Sequence, residues 1–348
     1  MQIGPKQVSR DGPPFVMAEI GVNHDGSLQK GEQLVDAAAE ATCDAVKFQL
    51  FRADLLLAKS AALVDYQKTS ASTADELLSN LEMHRDQMAQ LIARAKTAGM
   101  AAIVTPFSPE LVEHCVTMKV DAIKLASPDL VNKPLLEAAA ATGLPLILST
   151  GAAELAEVER TVGWLYKLAA GERTVLLHCV SSYPTEAQHA TLAAISVLRQ
   201  RFAEIPIGYS DHTQETFTAA LAVACGSCML EKHLTLDKKA PGPDHAASLE
   251  PAEMAEYAAL ARIGYAMRGP FQKHPLQIEQ QVRQQTRQSV VARTHLTAGT
   301  TLTRDMLTVK RPGTGIPAAE LERLVGKTLS RDVPDNTLLT WDDVGGNS

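Results

Sequence analysis

"IPIGYSDHTQETFTAALAVACGSCMLEKHLT", residues 205–235, decides how the chain folds. An apolar run, "IPIGYSD", opens it and turns polar at Ser210 and His212. A helical stretch, 214–225, leads to a second apolar run, "CMLEKHLT", which turns polar at Glu231 and His233. Strand, helix and strand in this order make a βαβ unit, whose two strands run parallel. Strands that are apolar on both faces through their first halves need cover on both sides.

The same unit recurs outward from this stretch. Toward the N-terminus the strands are "FVMAEIG", "AVKFQLF", "AAIVTPF", "AIKLAS", "LPLILSTG" and "TVLLHCVSS". Between them lie "SLQKGEQLVDAAAEA", with Ser27 as N-cap, "RDQMAQLIARAKTAG", closing on Gly99, and helical stretches at 109–118, 132–142, 154–170 and 190–202. "PAEMAEYAALARIGYAM" follows the last strand, and residues 53–82 form one long connection. Eight alternating units predict an α/β protein whose residues 1–267 form a (β/α)8 TIM barrel. Every strand ends polar on the same side: Glu19, Lys47 and Gln49, Thr105, Lys124 and Ser127, Ser149 and Thr150, Ser181, Ser210 and His212, Glu231 and His233. In a closed barrel these ends converge on one face, where the chemistry of such folds sits.

Residues 268–285, glutamine-rich with two prolines, read as a linker. Residues 286–348 change texture to short strands, frequent turns and a short helix at 317–325, a small β-rich second domain. The 348 residues are 45% hydrophobic, with a net charge of −7. A weakly acidic chain has no global field for nucleic acid or an anionic membrane, so an anionic ligand needs a local basic pocket. The N-terminus carries no apolar signal region, and no run approaches the roughly 20 residues of a membrane span. Five scattered cysteines suggest reduced thiols in the cytoplasm, with Cys225 and Cys228 as packing groups. Trp164 is expected to pack a helix, and Trp341 to join the small-domain core.

His212 and His233 end consecutive strands. Either one alone reads equally as a packing residue, but together they suggest two imidazole ligands of a divalent metal. Mn²⁺, Mg²⁺, Co²⁺ and Zn²⁺ all suit such ligands. Lys47 and Lys124 sit near the ends of apolar strands, where an unpaired ammonium is costly. A bound anion resolves this, with Thr105, Ser127, Ser149, Ser181 and Ser210 completing a phosphate and carboxylate cradle. Internal bridges to Glu19 and Glu231 are the alternative. Glu19 suits acid–base work or a pairing with Lys47. Asp244, in "GPDHAAS", is either a carboxylate that grips sugar hydroxyls or the tip of an Asx turn.

In order along the chain, "AEIGVNHDG", "VKFQLF", "TPFS", "IKLAS", "LSTG", "HCVSSYPT", "GYSDHT", "EKHLTLD" and "GPDHAASLEP" resemble the signature segments of the sialic acid synthase family. "VVARTHLTAGTTLTRDML" and "KRPGTGI" are similar to the antifreeze-like (SAF, β-clip) domain that follows the barrel in that family. The resemblance implies condensation of phosphoenolpyruvate with an open-chain N-acyl-hexosamine, N-acetylmannosamine or 2,4-diacetamido-2,4,6-trideoxy-mannose. The product is a nonulosonic acid, and phosphate leaves by C–O cleavage. It implies His212 and His233 as ligands of Mn²⁺, with Mg²⁺ or Co²⁺ as alternatives. Lys47, Thr105, Lys124, Ser127, Ser149, Ser181 and Ser210 would line the phosphoenolpyruvate site. Glu19, Gln49, Tyr183 and Asp244 would face the sugar or the reacting centre. Arg311 would reach a partner's barrel in a domain-swapped homodimer. Three segments depart from the family pattern. "EAQHATL" follows "SSYPT", Ser181 stands where some members carry asparagine, and the 66–80 loop keeps "YQ" without the usual central asparagine. "GPDHAASLEP" and "YQK" favour the neuraminate and legionaminate branches over the pseudaminate branch. A non-catalytic sugar- or ice-binding protein is the competing reading.

Overall fold

The computed structural model describes residues 1–58 and 73–345; the "YQK" at 66–68 and the last three residues of the tail lie outside the described residues. The chain divides into two compact units, Met1–Pro270 and Phe271–Ser348.

In the first unit, eight parallel strands close into a barrel. They are β1 (Phe15–Gly21), β2 (Ala45–Leu50), β3 (Ala101–Pro106), β4 (Ala122–Leu125), β5 (Leu146–Ser149), β6 (Thr174–Cys179), β7 (Ile207–Asp211) and β8 (Met229–His233). Sequence neighbours pair, and β8 closes on β1 with His233 opposite Glu19. The helices are α1 (Leu28–Glu40), α2 (Arg85–Thr97), α3 (Val112–Thr117), α4 (Lys133–Ala141), α5 (Leu155–Lys167), α6 (Ala193–Arg201), α7 (Thr218–Ala224) and α8 (Pro251–Arg268). Ser27 caps α1 by accepting from the Lys30 amide, and Gly99 follows α2 at φ +79°.

Side chains alternate strictly across a strand, and this sorts the barrel into two cores. One set of alternate positions, Val16, Val46, Phe48, Val104, Leu148 and Leu176 among them, packs outward against the helices. The other set faces inward. Its first members are apolar: Phe15, Met17, Ala45, Ala101, Ile103, Ala122, Ile147, Val175, Leu177 and Met229 form one buried cluster. Gly208 is the inward residue of β7 at this level, because Leu177 and Met229 already fill the space a Cβ would take. A short hairpin, Gln2–Ile3 with Lys6–Gln7, adds Ile3 and Val8 to the cluster and covers the amino end of the barrel.

The described parts of the connection at 53–82, residues 53–58 and 73–82, carry local structure that its polar composition does not suggest. They contain helices Ala53–Leu56 and Ala74–Leu81, the second capped by Thr73. Leu77 and Leu81 pack with Val22 and Phe51 in a small satellite core.

In the second unit, Ser289–Ala292 pairs antiparallel with Leu307–Lys310 around a core that includes Val290, Leu302, Leu324 and Leu339. The expected helix appears as a 3₁₀ turn at Ala318–Glu320 and a helical turn at Leu321–Leu324. Residues read as a linker include a helix, Gln280–Thr286. Trp341 does not enter the core: it is 45% exposed, with the Arg323 guanidinium 5.6 Å above its ring. No helix among the described residues is long and apolar enough to cross a membrane.

Candidate active site

The inward-facing set changes character along each strand. Two residues beyond Met17 stands Glu19, beyond Ala45 stand Lys47 and Gln49, beyond Ile103 Thr105, and beyond Ala122 Lys124. On the far side Ile147 gives way to Ser149, and Met229 to Glu231 and His233. These ends bound a cavity of about 280 Å³. Its polar lining includes Lys47, Gln49, Thr105, Lys124, Ser127, Ser149, Tyr183, Ser210, His212, Glu231, His233 and Asp244. Phe51, Leu56, Leu77, Leu81 and Phe107 form an apolar flank.

The two lysines do not stand alone. Lys47 Nζ contacts a carboxylate oxygen of Glu19, lies 3.4 Å from Glu231 Oε1 and donates to Thr105 Oγ1 at 3.3 Å. Lys124 Nζ donates to the Leu125 carbonyl at 3.0 Å and lies 3.8 Å from Glu231 Oε2. Both internal bridges expected from sequence are therefore present, and Glu231 serves both lysines. Ser210 Oγ donates to Glu231 Oε1 at 3.0 Å. Burial pushes the Lys47 ammonium down to about 8, against the pull of Glu231. Burial also works against ionised Glu231, but Lys124 and Lys47 hold it down to about 2. The floor of the cavity is thus two lysine side chains bridged by a carboxylate. Ser149 Oγ is buried and has no hydrogen-bond partner among the described residues.

The histidines stand beside this floor. Their ring centres are 5.4 Å apart. His212 Nδ1 donates to the Val180 carbonyl at 2.8 Å; burial works against its charged form, but Cys179 and this carbonyl raise its value, and only the neutral ring offers an Nε2 lone pair. His233 Nδ1 lies 3.4 Å from Asp244 Oδ2, the kind of carboxylate contact that orients a ligating imidazole. Burial and the neighbouring His212 and Lys47 keep His233 well below its ordinary value, so it is neutral. With metal–nitrogen distances of about 2.1 Å, two imidazoles on one ion have ring centres roughly 5 Å apart. That ring separation is compatible with a shared divalent cation. Among the described residues no group of three or more His, Cys, Asp or Glu side chains has ligating geometry, so two imidazoles would leave further positions to solvent or substrate. Tyr183 tilts over His212, with ring centres 4.0 Å apart.

Three expected site residues stand elsewhere. Glu19 is fully buried behind the lining, bonded to Lys47 and to Gln49 Nε2 at 3.3 Å. Ser181 is exposed and lines a neighbouring cavity against α5 and α6. Its hydroxyl still lies near that of Ser127 across Gly151, where a Cβ would strike both. Arg311 belongs to the second unit, where it is exposed. Sequence reading placed Glu231 among the polar strand ends and as a bridging partner, but not among the site residues. Its inward position, two residues before His233, was the available signal that it belongs to the cavity.

The chain is 38% identical over 336 residues to the N,N'-diacetyllegionaminic acid synthase of Legionella pneumophila, covering 95% of this chain and 94% of that one. It is 33% identical to the N-acetylneuraminate-9-phosphate synthase of Homo sapiens, covering 94% of this chain and 92% of that one. The crystal structure of the N-acetylneuraminic acid synthetase of Leptospira borgpetersenii superposes with a TM-score of 0.74 at 33% identity, covering 81% of this chain and 94% of that one. Residues 287–345 match the SAF domain. Residues 34–273 match the NeuB family, and the chain belongs to it.

Proposed function

We propose that the chain condenses phosphoenolpyruvate with the open-chain form of an N-acyl-hexosamine, giving a nonulosonic acid and inorganic phosphate. The observation that carries this reading is the cavity floor: two buried lysines sharing Glu231, ringed by hydroxyls, beside two imidazoles free to bind a cation. The names of the relatives support it, since they too are synthases of sialic-type acids.

Lys47 and Lys124 would hold the phosphate and carboxylate of phosphoenolpyruvate, with Thr105, Ser127 and Ser149 donating to the same oxygens and Ser210, whose proton goes to Glu231, beside them. Ammonium groups fixed in a dry site stabilise charge that builds on the departing phosphate. C3 of phosphoenolpyruvate bonds to the aldehyde carbon, C2 becomes oxocarbenium-like, water adds there, and the C2–O bond to phosphate breaks. A divalent cation held by His212 and His233, Mn²⁺ foremost, would polarise the acceptor's aldehyde oxygen. Gln49, Tyr183 and Asp244 border the space left for the sugar. Glu19 reaches that space through Lys47 and Gln49, so its proposed proton transfer, at water or at a sugar hydroxyl, requires one of them to move. The same reading has two chains act together in the cytoplasm, with Arg311 of one meeting the N-acyl group in the barrel of the other.

The test is phosphate release from phosphoenolpyruvate with Mn²⁺ and, in separate reactions, N-acetylmannosamine, its 2,4-diacetamido-trideoxy counterpart and a pseudaminate-type acceptor. Release with one sugar identifies the acceptor. No release with any of them overturns the reading in favour of a binding protein.

A further inference from the structure

Outward-facing strand positions are apolar nearly throughout the barrel, because they pack against helices. Two of the exceptions stand directly behind the histidines. Asp211 precedes His212 on β7, and Lys232 precedes His233 on β8. The strand register sets these two residues opposite one another, and both side chains are 0% exposed. Lys232 Nζ lies 3.1 Å from Asp211 Oδ2.

The pair is also tied to the chain that follows β7. Asp211 Oδ1 accepts from the Thr213 amide at 2.9 Å and from the Thr213 hydroxyl at 2.8 Å, while Oδ2 accepts from Thr218 Oγ1 at the start of α7. Lys232 Nζ donates to the carbonyls of Thr213 and Glu215. These bonds occupy the backbone between β7 and α7, and they explain why α7 starts at Thr218 rather than at 214. The Tyr257 ring of α8 lies 5.3 Å from the ammonium and closes the site from outside.

Stability alone does not account for two charges here. A buried ion pair is commonly no better, and often worse, than apolar residues of the same volume, and most outward-facing strand positions are apolar. What the pair supplies is directional: it admits one relative position of two strand ends. Because side chains alternate, fixing Asp211 against Lys232 on the outer face fixes His212 against His233 on the inner one.

We infer that the Asp211–Lys232 pair is a positioning element that sets the separation and facing of the two imidazoles for a shared divalent cation. This rests on the reading that His212 and His233 hold such a cation. Partners of metal-binding histidines typically change affinity by about 10–100-fold when altered. The double variant Asp211→Asn with Lys232→Met keeps the volume and a carbonyl acceptor for Thr213 while removing both charges. Binding of Mn²⁺ alone is read from loss of the free-ion electron paramagnetic resonance signal, alongside the urea midpoint and the KM for phosphoenolpyruvate.

The expected result is a folded variant with Mn²⁺ affinity lowered about 10-fold or more and the KM for phosphoenolpyruvate little changed. Should this variant not fold, Lys232→Arg keeps the charge but changes its reach, and a several-fold loss of Mn²⁺ affinity is expected in a folded protein. Wild-type protein that binds Mn²⁺, with a folded variant that binds it equally, overturns the inference alone. Wild-type protein that binds no Mn²⁺ overturns the cation reading, and this inference with it.

Discussion

The two ends of the barrel interior are built from the same eight strands and are both buried, yet their chemistry is opposite. At the amino end Phe15, Ala45, Ala101, Ile147, Val175 and Met229 pack as a small apolar core under the N-terminal hairpin. Two to four residues further along the same inward rows stand Glu19, Lys47, Thr105, Lys124, Ser149, Glu231 and His233. Burial alone therefore does not mark function here. What differs is the cost. An apolar side chain gains from leaving water, whereas a charge must recover its hydration from partners. The amino end holds the barrel together, and the carboxyl end depends on that rigidity to keep lysines, carboxylates and imidazoles in place.

The comparison breaks most visibly if one residue is removed from each end. Lys124→Met should lower kcat/KM for phosphoenolpyruvate by about 10²–10³-fold, the usual cost of losing one fixed group that stabilises transition-state charge. Its stability should change far less, because Glu231 keeps Lys47 and Ser210 as partners. Ile147→Ala, two residues before Ser149 on the same strand, should do the reverse. It should cost about 2–5 kcal/mol in urea unfolding, the range for such core truncations, and leave kcat of the folded protein unchanged. If the alanine variant lost turnover while folded, the division between the ends would be wrong.

pH sharpens the same contrast, since only one end titrates. Lys47 has an ordinary value of 10.5, lowered to about 8 in the folded chain. Below about 8 it is an ammonium and can hold an anion. Above that it is neutral, so kcat/KM for phosphoenolpyruvate should fall about tenfold per unit on the basic limb, because this parameter reports the free enzyme. A bound anion favours the charged form, so the limb in kcat should lie at higher pH. For stability the sign is opposite. Between about 8 and 10.5 the unfolded chain binds the extra proton, so this group's contribution raises stability as pH climbs through that window. A pH–rate profile paired with urea midpoints checks both directions, and Lys47→Met should abolish the rise.

Much of this was legible in the residues. Strict strand–helix alternation gave the barrel, and polar strand ends gave the face on which the site lies. Alternation also fixed which way Lys47, Thr105, Lys124 and His233 point, because each lies within a strand. Legibility faded where that rule stopped. Ser181 lies two residues past β6, where the loop decides its direction, and it is exposed. Glu19 lies within β1 and faces inward, but its own pairing with Lys47 and Gln49 draws it behind the cavity lining. The N-terminal hairpin has two residues per strand, too few to show a period. Asp211 and Lys232 sit beside the histidines in sequence without marking a site, and only the register reveals that they meet.

The smallest expected effect tests the comparison most finely, because it separates the two demands within a single side chain. Ser149 Oγ is buried at the carboxyl end with no partner among the described residues. A hydroxyl without a hydrogen bond in a dry site is a stability cost, so Ser149→Ala should leave the urea midpoint unchanged or raise stability by up to about 1 kcal/mol. If the hydroxyl is held open for an anion, the same variant should raise the KM for phosphoenolpyruvate by about tenfold, the worth of one hydrogen bond to a charged group. Gain in stability and loss of affinity in one variant is what a preorganised site requires. An amino-end residue cannot give that result, since truncating it loses packing and touches no ligand. A Ser149→Ala protein with unchanged KM would mean that the hydroxyl is merely tolerated there, and that the anion is held by the lysines alone.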